Sequence, residues 1–144
     1  MSFDLKADLS QIMVHAVSPK KLVRILIIDD VSKYVDCMLT VLQEWQNVAV
    51  EGLVFVESEN TFLPEPRFDV DILLLDESLG DFRSGTQLHN YWSKYGFKGS
   101  IVSITGDRTP SYAKYHFKRK YSMNTELESA MAFVHLMNQV FSEM

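Results

Sequence analysis

Acidic side chains that follow two apolar runs are the residues of this chain best suited to chemistry. Asp29 and Asp30 come directly after the run at residues 22–28, and Asp76 comes directly after the run at residues 72–75. Runs that are almost continuously apolar are typical of strands buried on both faces of a parallel sheet. Because neighbouring parallel strands open onto one crevice at their carboxyl ends, we expect the three carboxylates to converge.

Three converging carboxylates repel one another, and a divalent cation relieves that repulsion. Mg2+ suits such a site because it prefers oxygen ligands and keeps several of its waters. Thr105 and Lys120 follow two later predicted strands, so a hydroxyl and an ammonium would face the same crevice as Asp76. Positioned charges and hydrogen-bond donors of this kind are what phosphoryl transfer needs.

The elements that position these residues fit one domain. The chain has 144 residues, 47% of them hydrophobic, which is enough for one ordinary core. A net charge of −5 argues against nucleic-acid binding, and the lone Cys37 excludes a disulfide framework. The sequence has neither a secretory signal nor a run long enough to cross a membrane, so we expect no membrane association and a cytoplasmic protein.

Apolar segments alternate with helical patterns along most of the chain. We predict strands at residues 23–28, 48–56, 71–75, 101–104 and 115–119. Helices follow the first, third and fifth strands. We expect Ser32 to cap the first of them, the second to start near Gly85, and Thr125 and Glu128 to form a capping box at the third. Pro64 and Pro66 restrict any second helix to a short or irregular one. This alternation predicts an α/β fold with a parallel sheet covered on both faces.

The first twenty residues carry an additional apolar stripe. Its members recur at helical spacing: Leu5, Leu9, Ile12, Met13 and Ala16. We therefore divide the chain into an N-terminal extension at residues 1–20 and a domain at residues 21–144. A helix packed on the domain, or on a second copy of it in a homodimer, would cover the stripe, and a disordered tail is the alternative.

Taken together, the acidic pair, Asp76, Thr105 and Lys120 resemble the signature of receiver domains from bacterial two-component response regulators. The resemblance runs from about residue 22 to residue 141. It implies the flavodoxin-like fold, a doubly wound five-stranded parallel sheet in three αβα layers. It also implies a signalling domain that accepts a phosphoryl group and is not a conventional enzyme. Since no output domain follows Met144 in the sequence, we expect this domain to be stand-alone.

The resemblance assigns a role to each matching residue. Asp76 would take the phosphoryl group from a sensor histidine kinase or a histidine phosphotransfer protein. Asp29 and Asp30, with the backbone carbonyl of Ser78, would join Asp76 in holding Mg2+. Lys120 would pair with a phosphoryl oxygen. The remaining assignments are Thr105 as the hydroxyl that turns toward the phosphoryl group, Phe117 as the aromatic switch, and Ser78 and Asp107 as neighbours that set the dephosphorylation rate.

The chain also departs from the receiver pattern. Gly80 stands where receivers usually have a proline, and Tyr121 stands where a proline normally follows the lysine. The stretch between Thr105 and Lys120 is shorter than in that family, which predicts a fourth helix of two turns at most. Because receiver partners commonly dock near this helix, the phosphorylation chemistry looks intact while the output surface looks altered.

Three alternatives to this interpretation remain open. A pseudo-receiver would act as an adaptor that binds partners without being phosphorylated. A Mg2+-dependent phosphohydrolase or nuclease also uses clustered aspartates, although aspartyl-nucleophile hydrolases commonly have a second Asp at the position of Ser78. Each aspartate taken alone is also compatible with a solvated strand end or a helix cap, and Phe117 is compatible with an ordinary core residue.

Overall fold

The structure, a computed structural model, describes residues 3–59, 62–106 and 108–144. Its strands are β1 (Val23–Asp29), β2 (Val48–Val54), β3 (Ile72–Leu75), β4 (Ser100–Ser103) and β5 (Tyr115–His116). Its α-helices are α1 (Leu9–Met13), α2 (Ser32–Leu42), α3 (Gly85–Lys94) and α4 (Leu127–Ser142), and Lys120–Ser122 forms a short 3-10 helix. In this part of the chain, no helix is long and apolar enough to cross a membrane.

All five strands form one parallel sheet in the order β2-β1-β3-β4-β5. β1 and β3 lie inside the sheet, and every residue of β3 is buried, which explains their continuous apolar sequence. Ile25 of β1 lies opposite Ile72 of β3, and Ile72 lies opposite Ser100 of β4. The predicted flavodoxin-like α/β fold is therefore confirmed.

One face of the sheet is covered by α1, α2 and α4, and we call it the α2/α4 face. The buried side chains of α2 recur at helical spacing and pack against the inward side chains of β1 and β3. Phe133, Met137 and Val140 of α4 fill the same cluster. This cluster is the larger of the two cores.

The opposite face, which we call the α3 face, carries a single helix among the described residues. Leu88 and Trp92 of α3 pack on the outward side chains of the sheet together with Phe55 and Leu79. Irregular chain covers the rest, and the indole of Trp92 donates a hydrogen bond of 2.9 Å to the Pro64 carbonyl. The two prolines thus lie in a segment that is held by side chains and contains no helix in its described part.

The N-terminal segment packs on the α2/α4 face. Leu5 and Ile12 are buried in that core. The Asn138 side chain accepts from the Val17 backbone N–H at 2.8 Å and donates to the His15 carbonyl at 2.9 Å, which joins the segment to α4. The helix within it is shorter than the stripe, and the division of the chain at residue 20 stays a prediction.

Two predicted helix caps are wrong. No side chain caps α2, because Ser32 is its first helical residue and Val31 occupies the N-cap position. No capping box forms at α4, because the Thr125 hydroxyl donates to the Ser122 carbonyl instead. A capping box does form at α3, where Ser84 and Gln87 satisfy each other's backbone N–H groups.

The region between β4 and β5 also differs from the prediction. Instead of a short fourth helix, residues 104–106 and 108–114 contain no helix. The strand expected at residues 115–119 is limited to Tyr115 and His116, because the chain turns after Phe117 and enters the 3-10 helix at Lys120. This turn carries Lys120 over the carboxyl edge of the sheet.

Candidate functional site

The carboxyl edges of β1 and β3 bring two of the predicted aspartates together. The Asp76 backbone N–H donates to the Ile28 carbonyl at 3.0 Å, so Asp76 continues the pairing of β3 with β1. The ammonium of Lys120 lies between the two carboxylates, 2.6 Å from Asp29 Oδ2 and 3.1 Å from Asp76 Oδ2. These three residues form the centre of the site.

Asp29 is fully buried and held on both of its oxygens. Its Oδ1 accepts from the Val31 backbone N–H at 3.0 Å, and its Oδ2 accepts from Lys120. Burial raises the pKa of Asp29 above its ordinary value, and the attraction and hydrogen bond of Lys120 oppose that rise. The carboxylate orientation is therefore fixed before any ligand binds.

Asp76 is the most strongly perturbed carboxyl group of the site. Burial, with the negative charge of Asp29 as the second cause, raises the pKa of Asp76 to about 7, although Lys120 favours the ionised form. A group with this pKa changes its charge near neutral pH. Its ionisation is thus sensitive to any cation that binds beside it.

Lys120 is buried as well, and its surroundings explain how a charge is tolerated there. Its ammonium contacts both carboxylates and lies 5.2 Å from the centre of the Tyr34 ring, on the first turns of α2. A buried ammonium with paired carboxylates and an aromatic face is compensated on several sides. Removing either aspartate would leave it with a single anionic partner.

Asp30 completes a group that could hold a cation. One oxygen from each of Asp29, Asp30 and Asp76 lies within 4.8 Å of the others. Asp30 is half-buried, so the group opens to solvent on its side. An all-oxygen set at a solvent-accessible edge fits Mg2+, which keeps several waters. Lys120 neutralises only part of the charge of three carboxylates.

The remaining predicted site residues lie at different depths. Thr105 is buried at the end of β4, beyond Ile104, whose backbone N–H donates to the Leu75 carbonyl at 3.1 Å. Ser78 is exposed in the loop after Asp76, and its backbone pairs with that of Ser84 in an isolated antiparallel β-bridge. Asp107 lies outside the described residues.

Phe117 points into the core of the α2/α4 face. Its ring packs edge-on against Phe133 with 5.2 Å between the ring centres, and it is 4% exposed. Its backbone N–H donates to the Ser103 carbonyl at 2.7 Å, one bond beyond β5. The aromatic side chain is thus a core residue in this conformation, and a switch would require it to leave that position.

Sequence reasoning missed the anchors of the loop that follows Asp76. The Glu57 carboxylate accepts from the backbone N–H groups of Asp81 and Phe82 at 3.0 and 2.7 Å. Gly80 has a φ of +131°, and a Cβ there would lie 2.7 Å from the Glu57 carboxylate. Glycine is therefore required by backbone conformation and by space.

A second missed network surrounds Glu77, the residue after Asp76. Its carboxylate accepts from the Thr86 backbone N–H at 2.9 Å and from the Tyr112 hydroxyl at 3.0 Å. Tyr112 comes from the segment that was expected to be helical, so no pattern in the sequence placed it here. Tyr112 and Glu77 are 35 residues apart, and their contact depends on the path of a segment without regular secondary structure.

Comparison with known proteins supports the fold but does not extend to a sequence family. No family model and no curated protein matches the sequence. The N-terminal domain of a response regulator/sensory box/GGDEF protein from Carboxydothermus hydrogenoformans matches with a TM-score of 0.51 and 17% identity, over 83% of this chain and 96% of that chain.

Two further structures are similar. The receiver domain of the Francisella response regulator 1452 has a TM-score of 0.52 and 12% identity, over 81% of this chain and 96% of that one. A fusion that carries the yeast Spc42 trimeric coiled coil has a TM-score of 0.54 and 18% identity, over 88% of this chain and 84% of that one. The resemblance predicted from the sequence is thus confirmed at the level of architecture: this chain has the fold of response regulator receiver domains.

Proposed function

We propose that the protein is a receiver domain that accepts a phosphoryl group on Asp76. The observation that carries the proposal is the arrangement at the sheet edge, where a buried ammonium contacts Asp29 and Asp76, and Asp30 completes a group of three carboxylates. Salt-bridged aspartates alone would serve stability poorly, since burying several charges is costly. The cost is understandable if the pocket binds a phosphoryl group and a cation.

In the proposed reaction, an ionised oxygen of Asp76 attacks the phosphorus of a phosphohistidine on the donor protein. A phosphorus–oxygen bond forms, the phosphorus–nitrogen bond breaks, and the electron pair of that bond leaves with the histidine nitrogen. Lys120 would turn from Asp76 toward a phosphoryl oxygen while it keeps Asp29 as its second partner. The Thr105 hydroxyl is the proposed donor to another phosphoryl oxygen.

Asp29, Asp30 and Asp76, with the backbone carbonyl of Ser78, are the residues we propose to hold Mg2+. A bound divalent cation would supply charge that offsets the carboxylates and the phosphoryl oxygens. It would also favour the ionised, nucleophilic form of Asp76, whose pKa lies near 7 in the metal-free protein. Lys120 and the cation therefore have complementary roles in this proposal.

The proposed partners are a sensor histidine kinase or a histidine phosphotransfer protein and a downstream protein target. Protein contact or onward phosphoryl transfer is the output that we propose for the receiver at residues 21–144, with residues 1–20 as an extension. An adaptor without phosphorylation is the second candidate. The observation in its favour is that residues 104–106 and 108–114 form no helix. The surface that the fourth helix provides in receiver domains is therefore different here.

Labelling with a small-molecule phosphoryl donor separates these two candidates. With acetyl phosphate and Mg2+, we expect the wild type to take up label and Asp76→Asn to take up none. Asp81→Asn is the matched control, because it changes an exposed aspartate in the following loop. A folded wild-type protein that binds no label, or continued labelling of Asp76→Asn at the wild-type rate, would overturn the proposal.

A further inference from the structure

The segment between β4 and β5 is attached to the rest of the domain through Tyr112. The ring of Tyr112 stacks on the ring of His89 in α3, with 4.7 Å between the ring centres and 13° between the planes. Its hydroxyl donates to Glu77 at 3.0 Å. Tyr112 also packs against the core of the α3 face. Its side chain therefore covers part of that core from a segment that contains no helix at residues 104–106 and 108–114.

Glu77 connects this anchor to the proposed phosphoryl acceptor. It follows Asp76 directly, and its carboxylate is held from two directions, by Thr86 at the start of α3 and by Tyr112. The backbone of Glu77 is also engaged, because its carbonyl accepts from the Gly85 N–H at 2.9 Å. With side chain and backbone both bonded, little freedom remains at this residue.

Gly85 shows how closely the Tyr112 hydroxyl approaches the backbone of Asp76. A Cβ at position 85 would lie 2.6 Å from the Asp76 carbonyl oxygen and 2.6 Å from the Tyr112 hydroxyl. The hydroxyl, the carbonyl of Asp76 and the start of α3 therefore meet at one point. Only glycine leaves room for this approach, so the contact is built into the backbone path.

The hydroxyl of Tyr112 remains a donor across the whole physiological pH range. Burial and the adjacent Glu77 carboxylate raise the pKa of Tyr112 above its ordinary value, and the charge of Asp76 contributes in the same direction. A neutral hydroxyl facing a carboxylate forms a charge-assisted hydrogen bond, which is stronger than a neutral pair. The anchor is therefore persistent.

We propose that Tyr112 is a positioning residue for phosphoryl transfer to Asp76, acting through Glu77 to fix the main chain that carries the acceptor carboxylate. The inference rests on the proposed function. Because attack on phosphorus requires an aligned nucleophile, a loosened backbone at residues 76–77 lowers the rate even where the carboxylate itself is unchanged. Tyr112 makes no contact with the reacting atoms in this role.

The variant Tyr112→Phe tests the proposal because it keeps the ring that stacks on His89 and removes only the hydroxyl. We expect labelling of Asp76 by acetyl phosphate to become about tenfold slower, the effect of losing a hydrogen bond to a charged acceptor. The control is Tyr115→Phe on β5, which removes a tyrosine hydroxyl that donates to the Glu143 carboxylate at 3.0 Å. We expect the control to stay within about twofold of the wild type.

A double-mutant cycle with Glu77→Ala distinguishes positioning from general loss of stability. If Tyr112 acts through Glu77, adding Tyr112→Phe to Glu77→Ala slows labelling no further, whereas independent effects would multiply. Thermal unfolding of all variants shows whether a slower rate merely follows a lower stability. A multiplicative cycle, or equal rates for Tyr112→Phe and Tyr115→Phe, would overturn the proposal.

Binding of beryllofluoride with Mg2+ keeps this result separate from the proposed function. If the wild type takes up neither label nor mimic, the receiver function is wrong, and the role of Tyr112 falls with it. If the wild type does both and Tyr112→Phe matches it in both, the receiver function stands and only the role of Tyr112 is refuted. If Tyr112→Phe binds the mimic more weakly than the wild type does, and Tyr115→Phe binds it as tightly as the wild type, the proposal is supported.

Discussion

The two faces of the sheet differ in how they are built. The α2/α4 face is covered by three helices whose buried side chains form one continuous core. The α3 face carries one helix among the described residues, and irregular segments cover the remainder through individual side-chain contacts, including those of Trp92, Glu57 and Tyr112. A continuous helical core therefore covers the α2/α4 face, whereas the irregular segments of the α3 face are held in place by individual side-chain contacts.

The proposed site lies at the edge of the sheet between the two faces. Asp29 and Lys120 are held by regular structure, since Asp29 ends β1 and the ammonium of Lys120 faces Tyr34 on α2. The loop after Asp76 belongs to the α3 face and depends on anchoring by side chains. The difference suggests that the charged centre is rigid and that control of its chemistry comes from the less regular side. Changes on the two faces should therefore have different consequences.

The largest expected effect is global and comes from the α2/α4 face. Phe133→Ala removes a fully buried ring that packs on Phe117. We expect the free energy of unfolding to fall by about 4 kcal/mol, because the change leaves a cavity in a close-packed core. Urea denaturation measures it. Phe82→Ala, at a side chain 78% exposed, is the control and should stay within about 0.5 kcal/mol of the wild type.

The charged centre should show a pH dependence of the opposite sign to ordinary salt-bridged aspartates. Between pH 4 and pH 7 the folded protein keeps a proton on Asp76, whose pKa is about 7, that the unfolded chain has released. Stability of the metal-free protein therefore falls as pH rises through this window and is highest at its acid end. Thermal unfolding with a chelator present measures the profile.

Asp76→Asn removes the group that contributes most to this dependence, since the pKa of Asp76 is the more strongly raised of the two buried carboxyl groups. We expect it to raise the free energy of unfolding at pH 7 by on the order of 2 kcal/mol in the absence of divalent cations, and to flatten the profile between pH 4 and pH 7. The physical reason is that one buried charge and its repulsion with Asp29 are gone. A variant less stable than the wild type at pH 7 would show that the carboxylate is stabilising and that its pKa is not raised.

A smaller, local effect is expected on the α3 face. Glu57→Ala removes the acceptor of two backbone N–H groups in the loop after Asp76. Hydrogen exchange at Asp81 and Phe82 should become about tenfold faster, whereas amides in β1 should be unaffected. Glu59→Ala, at an exposed carboxylate nearby, is the control. Faster exchange throughout the sheet would mean that the two faces are not independent.

The smallest effect concerns residues 108–114. Two backbone bonds, from Ala113 to Pro110 and from Lys114 to Ile101, are the main-chain hydrogen bonds described for these amides. We expect rapid hydrogen exchange in the free protein, because the other amides of the segment have no described main-chain partner. With Mg2+ and beryllofluoride we expect about threefold slower exchange, because a ligand that binds the closed arrangement of Asp76, Glu77 and Tyr112 makes local opening of the segment rarer. Strong, equal protection in both states would place the response on another surface.

The comparison of the two faces also explains what could be predicted from the sequence. The buried strands were predictable because β1 and β3 are continuously apolar, and strand ends then located Asp29 and Asp76. The helices of the α2/α4 face were predictable from periodic side chains. The contacts of Tyr112 were not, since they join irregular segments that have no periodicity.

Errors in the prediction arose at chain turns. Lys120 was expected at a strand end, but it begins a 3-10 helix because the chain must turn to bring the ammonium to Asp29. The capping box predicted at Thr125 fails because its hydroxyl is used by the preceding turn. Local hydrogen bonds compete with caps, and spacing alone does not decide between them.

Coupling between Mg2+ and a phosphoryl mimic is the most direct test of the central claim, that three carboxylates and Lys120 form a phosphoryl-accepting site. In beryllofluoride, the beryllium and fluorine atoms stand in for phosphorus and its oxygens. Calorimetric titration should show weak binding of Mg2+ to the free protein and tighter binding when the mimic is present. We expect Asp30→Ala to lose this coupling, whereas Asp81→Asn keeps it. Equal binding of metal and mimic by Asp30→Ala and the wild type would contradict the proposed site.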